Sequence, residues 1–219
     1  MQNAPVGKRE LKTQENRNKI LFAANKLFNE KGYNETTMAD IAKEAVLTNG
    51  TIYHLYNSKQ DILLAIYNHY FKPDIGLNLD LEKKLNDPIN SITEFLLEYE
   101  RLWMKAGWAV ALNIYTFNPK ESSIGLSNIH NGKIEAKYEL LSFMNAVDKR
   151  GLLKDNYTPL QATDSIFIFG RGMLFQWALS SGSYDLVETS LTYWPNFLLF
   201  LNKCCYYKSG RLSCDVRFS

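Results

Sequence analysis

Apolar positions along this chain recur at helical spacing, and nowhere do they alternate as in a half-buried strand. From about Gln14 to Lys31 the set Ile20, Ala24, Leu27 and Phe28 marks one face of an amphipathic helix. Gly32 supplies a left-handed stop, and Lys31 suits the carbonyl end of the helix dipole. Thr37, with Asp40 three residues on, forms a capping box for a short second helix whose inner face is Ile41, Ala42 and Ala45. Thr48 opens a third, through Tyr53 and His54, with Ile52, Leu55 and Tyr56 inward. Ser58 and Asp61 then open a fourth that carries Ile62, Leu63, Ile66, Tyr67 and Tyr70, and Pro73 ends or bends it.

Beyond Pro73 the pattern coarsens. Residues 74–88 read as a polar connection with a helical turn or two. Ile89, Ile92, Leu96, Tyr99 and Trp103 sketch a long helix to about Ala106, and Gly107 separates it from an apolar helix, Trp108 to Phe117. A Ser/Gly-rich loop leads to a helix from about Ile129 to Lys149. Thr158-Pro159-x-Gln161 combines a cap, a proline at the first helical position and a glutamine at the third, opening a helix to Ser180. A last helix spans about Tyr184 to Tyr206 with Pro195 inside, where a kink or a break is expected. The fold class is all-α. The expected organisation is a flexible basic arm (1–13), a helix-turn-helix domain with its linking fourth helix (14–72), a helical ligand-binding and dimerisation bundle (73–207) and a disordered tail (208–219).

Composition narrows the function classes. The chain has 219 residues, 46% hydrophobic and 13% aromatic, which is more bulky apolar material than a small DNA-binding module needs. Its net charge is only +2, but residues 1–72 hold 10 Lys/Arg against 7 Asp/Glu while the remainder holds 15 against 16. A basic leading segment suits a polyanion, since neutralised phosphates release counterions; a solvated terminus is the other reading. Cys204, Cys205 and Cys214 crowd the C-terminal end, an odd number without zinc spacing, which argues for a reducing compartment. With no apolar run of spanning length and no signal peptide, the expected place is the cytoplasm, with no membrane partner.

The stretch Thr36–Asp61 has the form of a helix-turn-helix with its support. Thr48, Asn49, Gly50 and Thr51 are small or polar, as the start of a helix entering the major groove requires. Tyr53 and His54 supply phosphate or base contacts, and Lys59 can reach a phosphate beside its own helix N-terminus. Thr37 joins this DNA-binding set. Gly50 in a helix costs roughly 1 kcal/mol against alanine, which makes sense where backbone approaches a sugar-phosphate rail. From Ile20 to Tyr67 the segments LFNEKGY, TTMADIAKEA, GTIYH and SKQD, at these distances, resemble the DNA-binding domain of the TetR family of bacterial regulators. Two positions depart from it: Val46 stands where the family usually carries a glycine, and Asn49 where a basic residue is common. Valine disfavours positive φ, so the turn is expected to be strained or to use another geometry.

The resemblance implies a homodimer on a pseudo-palindromic operator and repression relieved by a small effector in the C-terminal domain. It also places the dimer interface on the last two helices, with Gly170, Gly172, Leu191, Phe197 and Leu198; ordinary intrachain packing is the alternative for the glycines. Pocket candidates are Trp103, Trp108, Tyr115, Phe117, Tyr138, Phe143, Phe175 and Trp177, with Arg171 as either an ion-pair partner or an anchor for an anionic ligand. Such aromatic stripes also build cores, and Glu94, Glu98, Glu100 and Glu139 read as solvated faces or as partners for a cation. The coupling expected is a ligand-driven shift of the fourth helix. No cofactor, metal site or catalytic motif is indicated; Gly170-Arg171-Gly172 lies mid-helix with no strand before it. Control by a protein partner, or an all-α enzyme, are the rival readings.

Overall fold

The computed structural model describes residues 7–71, 80–116, 135–153, 157–202, 206–208 and 211–213. Its helices are α1 (Lys8–Lys31), α2 (Met38–Glu44), α3 (Asn49–Leu55), α4 (Lys59–Tyr70), α5 (Leu81–Lys84), α6 (Pro88–Ala106), α7 (Trp108–Thr116), α8 (Glu135–Lys149), α9 (Pro159–Leu179) and α10 (Leu186–Asn202). The fold is all-α; two three-residue strands, β1 (Tyr206–Lys208) and β2 (Arg211–Ser213), pair antiparallel near the C-terminus. They overlap the expected tail, whose polar residues pair locally although they lack helical patterning. The chain divides into two units, Met1–Lys72 with Leu102–Asn131 and Pro73–Arg101 with Gly132–Ser219. A single cut at residue 73 is therefore too simple, because the end of α6 and all of α7 belong with the first unit.

In the first unit α1 begins at Lys8, so the described part of the supposed arm is helix. No apolar stripe is needed there: Glu15 pairs with Lys12 and Lys19 at three- and four-residue spacing, and the intervening residues are sound helix formers. Those pairs also neutralise part of its basic character. Ile20, Ala24 and Phe28 of α1 are buried with Ile41, Ile52, Ile62, Leu63 and Ile66 of the next three helices. α7 packs on α1 and α4. The Asn29 carboxamide donates to Ala106 O at 3.3 Å and accepts Ala109 N–H at 3.2 Å, while Asn29 O accepts the Trp108 indole N–H at 3.2 Å. An α1 side chain thus satisfies an N-terminal donor of α7 that has no partner within its own helix. Gly107 between α6 and α7 has φ +92°, and a Cβ there would stand 2.2 Å from the Asn29 carboxamide.

The second unit packs α9 against α8 and α10. Its core includes Phe95 and Leu96 of α6, Leu140, Phe143 and Met144 of α8, Ile166 and Trp177 of α9, and Trp194 of α10. Thr158 and Gln161 form the full reciprocal box at the start of α9. Asp87 caps α6, its Oδ1 accepting Asn90 N–H at 3.1 Å, and Asp185 does the same for Glu188 at 2.8 Å. That second cap starts α10 at Leu186 rather than Tyr184, and the helix continues unbroken past Pro195 to Asn202. Expectations for Pro73, Phe117, the helix start near Ile129 and the three cysteines lie outside the described residues. Among the described residues, no helix is long and apolar enough to cross a membrane.

Candidate nucleic-acid interface and ligand cavity

The helix pair α2–α3 is built from local chemistry. Thr37 accepts Asp40 N–H and Asp40 returns a bond to Thr37 N–H, so the box closes in both directions. Those backbone and hydroxyl contacts, with the Lys31 ammonium, hold the Asp40 carboxyl well below the usual carboxylate range. At the other end Leu47 N–H bonds to Ala42 O and Val46 N–H to Lys43 O, the paired bonds of a Schellman stop. That motif demands a left-handed residue, and Val46 occupies it at φ +55°. The turn keeps the geometry a glycine would favour and forces a β-branched, 89%-exposed side chain into it.

Thr48 then caps α3, accepting Thr51 N–H at 3.1 Å, and the two threonine hydroxyls lie 2.9 Å apart. Ile52 is fully buried and Tyr56 nearly so, which fixes the helix from below. Thr48, Asn49, Gly50, Tyr53 and His54 are exposed, Thr51 half-buried, and Thr37 exposed at the head of α2. A Cβ on Gly50 would meet only the Thr48 hydroxyl, at 3.8 Å, so no packing inside the chain requires glycine. The space above it is open for another molecule's backbone.

Lys59 departs from expectation. Its ammonium donates to Tyr33 O at 2.6 Å, Thr36 O at 2.8 Å and Asn34 O at 3.3 Å, and lies 4.3 Å from the Tyr33 ring centre. Three donors meet three carbonyls. Partial burial lowers its pKa, with Glu35 opposing, and burial of Tyr33 pushes that phenol up to about 12. In place of a side chain offered to phosphate, Lys59 clamps the α1–α2 turn, which positions α2 beneath α3. Sequence spacing could not reveal this, because the carbonyls it binds lie 23 to 26 residues away.

The aromatic pocket candidates do not converge. Trp103 is buried in the first unit against Tyr67 of α4 and Phe71 at its C-cap, with Tyr115 beside it, and Trp108 is held by Asn29. Phe143 and Trp177 are core of the second unit, the latter donating to Tyr184 O at 3.0 Å. Tyr138 and Phe175 are exposed, and Arg171 is half-buried on α9. Large rings here fill space rather than line it. The cavity of the second unit, about 180 Å³, has other walls: Ile89, Ile92, Met144, Val147, Ile166 and Leu198, with Asn86, Asp87 and Tyr157 among its polar contributors. Among the described residues, no cluster of three or more His, Cys, Asp or Glu could hold a metal ion.

The interface candidates divide as well. Gly170 faces inward, where a Cβ would stand 3.1 Å from the Trp194 ring; Phe197 stacks on Phe169 at 4.1 Å; Leu198 is buried in the cavity wall. These three serve packing between α9 and α10. Gly172 and Leu191 are exposed, and so are Ile168, Phe175 and Leu179, which with Gly172 repeat at helical spacing along α9.

One polar group lies elsewhere than the sequence reading placed it. Glu100 is 5% exposed, not on a solvated face, and accepts the Trp194 indole N–H at 2.7 Å. Burial pushes its carboxyl up to about 7, while bonds from Trp194 and Ser190 and the charge of Arg101 pull the other way.

Residues 20–66 match the model of the bacterial regulatory proteins of the tetR family. A probable HTH-type transcriptional regulator, ArpR of Pseudomonas putida, is 26% identical over 181 residues, covering 80% of this chain and 85% of that protein. Among solved structures, NalD, the secondary repressor of a multidrug efflux pump in Pseudomonas aeruginosa, superposes with a TM-score of 0.66 at 21% identity, covering 85% of this chain and 96% of its own. The transcriptional regulator FadR from Bacillus subtilis, solved with stearoyl-CoA, superposes with a TM-score of 0.61 at 20% identity, covering 88% and 98%. The relatives matched in sequence are transcriptional regulators, not enzymes.

Proposed function

The chain belongs to the TetR family of bacterial transcriptional regulators, and from that premise we propose that it is a cytoplasmic repressor that binds a pseudo-palindromic operator as a homodimer. One observation carries the reading: α3 is anchored below by Ile52 and Tyr56 while Thr48, Asn49, Gly50, Tyr53 and His54 stand exposed together. A helix so held presents side chains and an uncovered backbone to a major groove. Thr37 sits at the head of the supporting helix and contributes a hydroxyl beside the phosphate backbone.

Dimerisation is supported by the exposed apolar row Ile168, Gly172, Phe175 and Leu179 on α9 with Leu191 on α10. Exposed large side chains in one row mark an interaction surface, and one small head buries too little for tight specific binding. A small-molecule effector is supported by the largely aliphatic cavity in the second unit, which favours it over control by a protein partner. α6 supplies cavity wall at Ile89 and Ile92, and its last residues, Trp103 among them, belong to the first unit. That helix is the proposed route by which ligand binding alters operator affinity.

The test begins with operator selection from random DNA, which should return a pseudo-palindrome. A Tyr53→Ala, His54→Ala variant should then bind the selected site about 100-fold more weakly, at roughly 1–3 kcal/mol per lost contact, while sedimenting as a dimer. Wild-type affinity in that variant would refute the recognition-helix reading, and a monomeric wild-type chain would refute the dimer.

A further inference from the structure

The cavity of the second unit has a size and a chemistry that specify its occupant. Its volume is about 180 Å³, below the ~300–1,000 Å³ of sites for drug-sized ligands and close to an apolar cavity of about 150 Å³ that holds benzene. Four helices contribute its apolar walls: Ile89 and Ile92 from α6, Met144 and Val147 from α8, Ile166 from α9 and Leu198 from α10. Among the described residues, no Lys, Arg or His lines it. Asp87 brings the charge to its wall, and that carboxylate is occupied at the start of α6. Against the described walls an anionic ligand would be desolvated with a carboxylate nearby and no cation among those residues to meet it, an unfavourable exchange in an apolar site. Tyr157 is among the lining residues, and its hydroxyl makes no hydrogen bond to another described residue, which leaves it as the polar group to meet a ligand's polar atom.

We propose that this cavity binds a compact, neutral, largely aliphatic molecule of single-ring size carrying one hydroxyl group, which sits among the aliphatic side chains and bonds to Tyr157. The assignment rests on the reading of the second unit as the ligand-responsive part of the regulator. It separates this cavity from the tunnel a long-chain thioester needs and from the roomy pocket a multi-ring compound needs.

The test is titration calorimetry on the full chain with two probes of one shape, cyclohexanol and cyclohexanecarboxylate at neutral pH. Cyclohexanol is expected to bind at one saturable site per chain, and the carboxylate at least tenfold more weakly. Ala162 of α9 also lines the cavity, and Ala162→Leu, which fills it, should weaken cyclohexanol at least tenfold. Tyr157→Phe, which leaves the volume alone, should weaken it several-fold with an unchanged unfolding midpoint, and so keeps the test valid if the first variant misfolds. The proposal is overturned by the absence of saturable cyclohexanol binding, by a carboxylate that binds as tightly as the alcohol, or by undiminished binding in Tyr157→Phe. Operator affinity measured with and without cyclohexanol separates the two readings. Binding without any change in operator affinity would uphold the cavity assignment and sink the effector role; no binding would sink the assignment and leave the effector role to another ligand.

Discussion

Lys59 in the first unit and Glu100 in the second pose the same physical problem, a charge drawn out of water, and are handled in opposite ways. Around half-buried Lys59 three backbone carbonyls replace part of the hydration shell, one acceptor for each donor. Around Glu100 the indole N–H reaches Oε1 at 2.7 Å and the Ser190 hydroxyl adds a weaker pull, but Oε2 is buried without a well-formed hydrogen bond among the described residues. Its carboxyl moves to about 7 instead, so neutralisation takes the place of solvation. A fully ligated charge makes a fixed clamp. An under-ligated one makes a group whose state follows pH.

The largest effect expected from this contrast is on stability against pH. The Glu100 carboxyl is raised in the fold from its ordinary 4.5 to about 7, so the folded chain holds the proton more tightly than the unfolded one. Its contribution is fully present below about 4.5 and is lost as pH rises through 7. At about 1.4 kcal/mol per pK unit, roughly 3 kcal/mol is at stake across that window. Urea unfolding of Glu100→Gln at pH 4.5 and 8 should show that fall removed; an unchanged difference between the two pH values would mean that another group titrates. Next in size is Lys59→Met, which strips the donor from three carbonyls of the α1–α2 turn. A loss of about 2 kcal/mol is expected from denaturant unfolding. If Lys59 clamps the turn and does not touch phosphate, the salt dependence of operator binding keeps its slope, whereas a lost phosphate contact lowers it by about 1. The smallest effect is a gain. Val46→Gly removes a β-branched residue from φ +55° at an exposed site, and the thermal midpoint should rise by the equivalent of about 1 kcal/mol. A fall would show that the valine side chain stabilises the fold in some other way.

The two units also differ in how much of them could be read from residues alone. Caps at Thr37, Thr48, Ser58 and Thr158 were legible because a cap and its target lie within three residues of each other. At Val46 the resemblance to the family, which usually carries glycine there, pointed to strain or another geometry, and the left-handed φ of +55° is the strained of the two. The start of α1 was not legible, since ion pairs rather than an apolar stripe extend it to Lys8. Nor was the direction of Lys59, whose acceptors are distant in sequence. The cavity was hidden for a different reason. A cavity records where side chains fail to meet, while pattern reading finds the bulky residues, and Trp103, Phe143 and Trp177 proved to be those that close the packing.

The cap that Asn29 lends to α7 bears on where this protein can be cut. α7 takes a first-turn acceptor from a helix some eighty residues earlier, and that side chain occupies the space a Cβ at the preceding glycine would need. Tyr67 of α4 and Phe71 at its C-cap likewise pack on Trp103. A fragment stopping at residue 72 would keep every residue of the helix-turn-helix yet lack one wall of its core. During synthesis, the head stays incomplete until residue 116 has left the ribosome. The DNA-binding part is continuous as a motif and discontinuous as a folding unit, so an isolated head grafted onto another protein would need α7 supplied as well.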